Sequence, residues 1–104
     1  MTENENQATA LRVGHLLRIG TYATMAILGM WQANPRARIL MGMAEASVRG
    51  KGPGGHDEEL LGQMRALISE AIDYYEQNEF PAAMARMRVA HDLAGLHVIE
   101  ISGE

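Results

Sequence analysis

Residues 19–35 carry no charged side chain, and they lie inside a longer segment whose apolar residues recur at helical spacing. This periodicity predicts one helix over residues 8–33. Its apolar arc is wide, so little of the helix is left to face water. A helix of this kind has to be covered on more than one side. We therefore expect it to be buried, either inside the domain or against a second copy of the chain.

The same segment is too short and too interrupted to predict a membrane span. Its nearly continuous apolar run, residues 22–31, falls short of the about 20 residues that a spanning helix needs. Arg18 and Arg36 flank the uncharged stretch on its two sides. The acidic and polar residues 2–7 are unlike the positively charged start of a secretory signal. We expect a cytoplasmic protein that does not enter a membrane.

Three further helices are predicted after the first, and no extended alternating pattern indicates a sheet. They are expected at residues 35–49, 57–78 and 81–97. Residues 1–7 are predicted to be a flexible polar lead, and the glycine-rich segment 50–56 a mobile loop. The last residues, 98–104, are expected to extend the fourth helix, to fray, or to form a short strand. We predict one all-α domain over residues 1–104, a four-helix bundle-like fold that ends in a helical hairpin.

Local signals indicate several of the helix ends. Asn34 is a preferred N-cap, and Pro35 suits the first helical position because it has no N–H to lose there. Glu45 and Arg49 are spaced i, i+4 in the favourable order for an ion pair. Asp57 begins an acidic run that suits the positive N-terminus of the third helix.

Composition excludes several kinds of site. The chain has no cysteine, which rules out disulfide bonds, thiolate zinc sites and a cysteine nucleophile. Its formal net charge is −4, so it lacks the basic surface typical of a nucleic-acid-binding protein. No phosphate-binding loop, dinucleotide fingerprint or histidine metal motif is present. We therefore predict no cofactor, no metal and no nucleic-acid partner.

Size and helix patterning together predict self-association. A chain of 104 residues buries only about two thirds of its unfolded surface, so added burial between copies would stabilise it. The fourth predicted helix carries two apolar strips, which need two separate partners to cover them. We predict at least a homodimer with the first helix in its interface. The expected anchors are large apolar or aromatic residues, namely Tyr22, Ile27, Leu28 and Trp31.

A polar group interrupts the first helix on the side away from its main apolar arc. His15, Arg18 and Tyr22 are spaced i, i+3 and i+7, so they lie one above another. Together they offer charge-assisted hydrogen bonds to a carboxylate or a phosphate. We call them the first-helix cluster and predict that they bind a small anionic ligand. The alternative is that they line the rim of an interface and reach to water.

Arg18 is the decisive member of the first-helix cluster. A charge close to a buried surface is costly unless a partner compensates it. Residues 8–44 contain no Asp or Glu, so the partner has to come from elsewhere. Glu70 and Asp73 on the third predicted helix are internal candidates, and pairing with either would make Arg18 structural. Glu45, a second subunit or a ligand are the other candidates.

An enzymatic interpretation rests on Arg86 and His91. Four residues separate them, and six separate Arg49 from His56, which resembles the R-x4–6-H pattern of the HEPN ribonucleases. Members of that family are all-helical, dimeric and of similar size. The resemblance implies that Arg86 and His91 are the catalytic pair of a ribonuclease. In a straight helix these two side chains point about 140° apart.

We favour a non-enzymatic function, in which this small helical module acts by self-association and by binding a partner protein or a small anionic ligand. The chain contains no catalytic Ser-His-Asp order and no paired-carboxylate signature. The alternatives are a HEPN-like ribonuclease that uses Arg86 and His91, or a small-molecule enzyme built around the first-helix cluster.

Overall fold

The computed structural model describes residues 3–103, and four α-helices account for most of them. They are α1 (Glu3–Trp31), α2 (Arg36–Val48), α3 (Glu58–Glu76) and α4 (Phe80–Ser102). No strand occurs among the described residues, which confirms the all-α prediction. α1 and α3 each pack against both α2 and α4, in a body that measures 48 × 21 × 18 Å.

The core is built from side chains that recur on one face of each helix. α3 shows this most simply, because Leu61, Met64 and Ile68 are buried while the side chains opposite them are polar and exposed. α1 and α4 contribute small side chains as well as large ones, so their axes can approach closely. The buried alanines of these two helices are Ala23, Ala26, Ala83, Ala90 and Ala94.

Both ends of the described chain are helical. α1 begins at Glu3, so residues 3–7 are not the flexible lead that their polarity predicts, while residues 1 and 2 of that lead lie outside the described part. Glutamate and glutamine are good helix formers, and acidic side chains are favourable near a helix N-terminus. At the other end α4 continues to Ser102, and Val98 and Ile101 pack against the core. Most of the C-terminal segment whose structure the sequence does not decide is therefore helical.

The turn between α1 and α2 follows its local sequence. Ala33 has a φ of 52°, a left-handed conformation in which a helix cannot continue. The side-chain oxygen of Asn34 accepts a hydrogen bond of 3.0 Å from the Arg36 N–H, and α2 begins at Arg36. Gly29 lets the two helices approach each other, since a Cβ there would lie 3.1 Å from the Cβ of Ala37.

The glycine-rich segment 50–56 contains a short 3-10 helix, Pro53–Gly55, that packs against α1. Gly52 has a φ of 61°, a region that glycine adopts without strain. A Cβ at Gly52 would come within 2.8 Å of Cδ1 of Leu61. The segment is therefore fitted against α1 and α3 and is more than an open linker.

Candidate functional site

His15 of the first-helix cluster is already engaged inside the protein. Its Nε2 lies 2.7 Å from the carbonyl oxygen of Ser47 in α2, so Nε2 carries the proton of that hydrogen bond. Its Nδ1 is buried and has no hydrogen-bond partner among the described residues. His15 thus ties α1 to the end of α2, and it has no free N–H to offer a ligand.

The other two members of the first-helix cluster are placed differently. Arg18 is exposed, and within the described part of the chain it forms no ion pair with Glu70 or Asp73. Glu70 is instead bound to Arg86, at 2.8 Å. Tyr22 is half-buried and packs against the core. Anion binding by this cluster stays a prediction, and it depends on Arg18 because His15 is already used.

Arg86 and His91, the pair of the ribonuclease alternative, contact different neighbours. Arg86 Nε donates to Glu70 Oε2 at 2.8 Å, and its guanidinium carbon lies 5.6 Å from the centre of the Tyr74 ring. The hydrogen bond to Glu70 raises the pKa of Arg86 above its usual value. The ring of His91 lies against Gly20 of α1. Arg86 is therefore held against α3, while His91 lies against α1 and its Nδ1 is 3.0 Å from Oδ1 of Asp92.

A second polar cluster lies where α1, α3 and α4 meet. Asp57, directly before α3, is only 2% exposed. Arg12 of α1 binds both of its oxygens, with Nε 3.2 Å from Oδ2 and Nη2 2.8 Å from Oδ1. His97 of α4 places its Nε2 3.0 Å from Oδ1 of the same carboxylate. We call these three residues the Asp57 clasp, because one buried carboxylate holds side chains from two other helices.

The Asp57 clasp is a charged network. His97 also contacts a second carboxylate, since its Nδ1 lies 3.1 Å from Oε2 of Glu100. Burial by itself would raise the pKa of Asp57, but the hydrogen bonds and positive charges of Arg12 and His97 outweigh burial and lower it below its ordinary value. Asp57 is therefore ionised in the folded protein, with its charge compensated on two sides.

A cavity of about 350 Å³ opens beside the Asp57 clasp, with His97 and Glu100 among its polar walls and Leu93 and Leu96 among its apolar ones. Both ring nitrogens of His97 face carboxylates, so neither is free to take a proton from a substrate. No three His, Asp or Glu side chains of the described residues are grouped to hold a metal ion. The geometry supports a role in joining helices.

Sequence reasoning missed the Asp57 clasp because its members are far apart in the chain. Asp57 is separated from Arg12 by 45 positions and from His97 by 40. Alone, Asp57 indicates only the start of a helix. The one available signal is that Arg12 stands four residues before the buried Leu16, on the side of α1 where a cation needs an acidic partner.

The outer face of α1 carries an exposed row of uncharged residues. Its members alternate in steps of four and three, the spacing of a seam that packs along another helix. The row consists of Ala10, Gly14, Leu17, Thr21, Thr24, Leu28 and Trp31. We call it the α1 outer stripe. Its largest side chains, Leu17, Leu28 and Trp31, are 54%, 55% and 73% exposed.

Two of the four predicted interface anchors belong to the α1 outer stripe. Leu28 and Trp31 are exposed, whereas Tyr22 and Ile27 are half-buried and pack against the core. The wide apolar arc of this helix is therefore two surfaces, one facing the core and one facing outward. Leu28 and Trp31 are the anchors that the single chain leaves most accessible to another molecule.

A shallow, mainly apolar groove adjoins the α1 outer stripe on the side of α4. The corresponding cavity measures about 270 Å³. Leu17, Thr21 and Thr24 form part of one wall, and Gly95 and Val98 of α4 form part of the other. The exposed stripe thus continues into a concave surface between two helices.

The outward faces of the other long helices carry charge. The outer side of α3 exposes Glu59, Gln63, Glu70 and Asp73, with the uncharged Ala66 and Ser69 among them. On α4, the exposed side chains of Val89 and Leu96 stand on either side of Asp92, which is also exposed. Among these long helices, α1 has the one outer seam without a charge.

Within residues 3–103, none of the helices combines the length and apolar character that crossing a membrane requires. Comparison of the chain with known proteins gave no match to a family model, a curated protein or a solved structure. Its function therefore has to be inferred from its own residues and their geometry.

Proposed function

We propose that this protein is a self-associating helical module that uses the α1 outer stripe as its interface. The observation that carries the proposal is the stripe itself, a heptad row that lacks charge and is exposed along its whole length in the single chain. Large exposed apolar side chains lie along it with Thr21 and Thr24 between them, and exposed apolar surface is a mark of interaction sites. Pairing would remove Leu17, Leu28 and Trp31 from water, which favours association.

The enzymatic alternatives gain less support from the geometry. Arg86 is bound to Glu70, and both ring nitrogens of His97 face carboxylates. His15 has a nitrogen without a partner, Nδ1, but this atom is buried, and Nδ1 of His91 lies 3.0 Å from Oδ1 of Asp92. A general base needs a free nitrogen within hydrogen-bond reach of a substrate proton. Self-association needs no such group, and it gives the exposed α1 outer stripe a role that the small-molecule enzyme alternative does not.

Arg18 carries the ligand-binding part of the proposal. It follows Leu17 directly, so it lies at the edge of the α1 outer stripe, and its side chain is exposed. At the rim of an interface its aliphatic stem would pack on the partner while the guanidinium stays in water. There it would remain available to a carboxylate or phosphate from a partner protein or a small ligand.

Sedimentation of the wild type and of two matched variants tests the interface. Leu28→Asp puts a carboxylate into the α1 outer stripe, and Leu96→Asp makes the same change on α4. The two leucines are equally exposed, at 55% and 58%. We expect a concentration-dependent dimer for the wild type and for Leu96→Asp, and a monomer for Leu28→Asp. Circular dichroism should show the same helix content in all three proteins.

Three results would contradict the proposal. The wild type could stay monomeric at high micromolar concentration, or Leu28→Asp could associate as strongly as the wild type. Equal loss of association in both variants would show that the effect is not specific to the α1 outer stripe. Ile27→Asp makes a poorer test, because Ile27 packs against the core and its substitution would also destabilise the fold.

A further inference from the structure

We infer that α1 of one copy packs antiparallel against α1 of a second copy, in a closed two-fold pair. This inference rests on the proposed function, since it specifies the partner and the orientation for the same surface. Two-fold pairing of one surface with itself is the commonest closed assembly of identical chains. Three properties of the α1 outer stripe fit it: graded side-chain size, lack of charge, and length.

Side-chain size is graded along the α1 outer stripe. Ala10 and Gly14 occupy its N-terminal part, and Leu28 and Trp31 its C-terminal part. In a parallel pair the two Trp31 side chains would meet, and the two Gly14 positions would leave a gap. In an antiparallel pair each large end meets the partner's small end, as close packing of facing helices requires.

Gly14 shows that the small end of the stripe is open. A Cβ at Gly14 would have no heavy atom of a neighbouring element within 4 Å, so the chain itself places nothing there. Gly29 of the same helix is different, because a Cβ there would lie 3.1 Å from Ala37. Glycine inside a helix lowers its stability. No contact within the chain explains that cost at Gly14, and the same is true of Gly62 and Gly95. A large side chain from a partner helix has room at this position.

The lack of charge favours a second copy as the partner. The α1 outer stripe itself carries no charge that could pair with an acidic or basic surface, although Arg18 lies at its edge, and burial against the stripe would cost such a surface its hydration. Within this chain the outer face of α3 is acidic, and Asp92 interrupts the outer face of α4. Burying Asp92 against the stripe would remove its hydration, and its partner within the chain is the neighbouring His91, whose Nδ1 lies 3.0 Å from Oδ1. Among the outer faces of the three long helices, the one that matches the stripe is therefore the same stripe on another copy.

The length of the α1 outer stripe suits such a pair. From Ala10 to Trp31 it extends about 32 Å at the helical rise of 1.5 Å per residue, which is about three heptads. The whole body is 48 Å long, so the seam would run along most of it. The two-fold axis of an antiparallel pair would pass close to Thr21, in the middle of the stripe. The groove toward α4 adjoins the same residues and would extend the contact.

Distances between spin labels, measured by pulsed electron paramagnetic resonance, test the orientation. The chain has no cysteine, so a cysteine introduced at Ala10, Thr21 or Gln32 gives a unique labelling site. Ala10 and Gln32 lie equally far from Thr21 in opposite directions. In the antiparallel pair, labels at Thr21 should lie within about 20 Å of each other, from the spacing of packed helices plus the label arms. Labels at Ala10 or at Gln32 should lie about 33 Å apart or more, from the helical rise.

Each alternative gives a different pattern. Short distances at all three positions would show a parallel pair, which overturns the antiparallel inference and leaves self-association standing. A label at Gln63 on the outer face of α3 is the control and should give no short distance, and a short one there would overturn both proposals. If the wild type sediments as a monomer and no intermolecular distance is found, the proposed function itself fails, and the stripe serves a different partner.

Discussion

α1 and α3 pack against the same two helices, yet their outer faces have opposite character. The outer side of α3 exposes charged and amide side chains, among them Glu59, Glu70 and Asp73. The outer side of α1 exposes the uncharged α1 outer stripe, with Leu17, Leu28 and Trp31 as its large members. The fold of one chain buries the apolar side of α3 and leaves its polar side exposed to water. It leaves the outer face of α1 uncovered, and we attribute this difference between the two helices to the proposed self-association.

The largest expected effect comes from breaking the Asp57 clasp, which joins α1 and α3 although α2 and α4 lie between them. Asp57→Ala removes the carboxylate that Arg12 and His97 share, and loss of one member of a buried ion pair costs about 3–5 kcal/mol. Urea unfolding at fixed protein concentration measures this loss. The matched control is Glu100→Ala, which deletes the exposed carboxylate bound to the same histidine and should cost less than about 1 kcal/mol.

A loss that large could unfold a small domain outright, so Asp57→Asn provides a second measurement. The amide keeps the size of the side chain and one acceptor oxygen, and it should be less destabilising than alanine. Equal stability of Asp57→Ala and Glu100→Ala would mean that the clasp does not hold α1 to the rest of the fold.

The fold of α3 could be predicted from the sequence, and the two faces of α1 could not. On α3, apolar and polar residues separate cleanly, so periodicity identifies the buried side. On α1, Leu16 and Leu17 are both apolar and both fall in the predicted arc, but Leu16 is buried and Leu17 is 54% exposed. Periodicity cannot divide such an arc, because the positions of α2 and α4 decide which part they cover.

Short-range contacts were predictable for a related reason. The ion pair between Glu45 and Arg49 is confirmed, with Nη2 of Arg49 2.7 Å from Oε1 of Glu45, because both residues belong to one helix turn. Arg86 also finds an acidic partner, but Glu70 lies on another helix, and no local spacing indicates it. The Asp57 clasp depends on three helices at once, so it becomes visible only when the fold is assembled.

Substitution of Trp31 should have the next largest effect, and the fluorescence of this residue reports on association directly. It is the only tryptophan of the chain and is 73% exposed in the single copy. If the α1 outer stripe is the interface, its fluorescence emission should shift to shorter wavelength as protein concentration rises. Trp31→Ala should weaken association on the order of 10- to 100-fold, as for an aromatic anchor of an interface, with fold stability nearly unchanged.

The matching change on α3 should leave association as it is. Ser69 lies on the exposed side of that helix, so Ser69→Ala is the control for the sedimentation measurement. Emission that does not change with concentration, over a range in which the protein dimerises, would place Trp31 outside the interface.

Lowering the pH should weaken the Asp57 clasp and leave pairing through the α1 outer stripe unchanged. Folding lowers the pKa of Asp57, so its contribution to stability is complete above the ordinary pKa of the unfolded chain and is lost as pH falls through the lowered value. Urea midpoints measured from about pH 6 to pH 2 should therefore fall further for the wild type than for Asp57→Asn, which cannot titrate at this position. Parallel curves would show that other carboxylates control acid unfolding. The titration of Asp57 should not appear in the dimer dissociation constant.

The smallest expected effect comes from replacing one helical glycine by alanine. It gives the most direct comparison of α1 and α3, because the same substitution can be made in both helices. Gly14 and Gly62 are both inside helices, and a Cβ at either would meet no heavy atom of a neighbouring element within 4 Å. Replacing either by alanine should raise the stability of the fold by up to about 1 kcal/mol, since alanine is the better helix former. The free energy of unfolding has to be measured at protein concentrations below the dissociation constant of the dimer, because association adds to the measured stability.

The two variants should differ only in association. Gly14→Ala fills the place that we assign to a large side chain of the partner, so it should weaken the dimer several-fold while stabilising the monomer. Gly62→Ala should stabilise the fold and leave the dimer unchanged. Gly29→Ala calibrates the series, since its Cβ would press on Ala37 and should destabilise the fold itself. If Gly14→Ala and Gly62→Ala behave alike in both measurements, the open position at Gly14 receives nothing, and the graded size of the α1 outer stripe has no part in pairing.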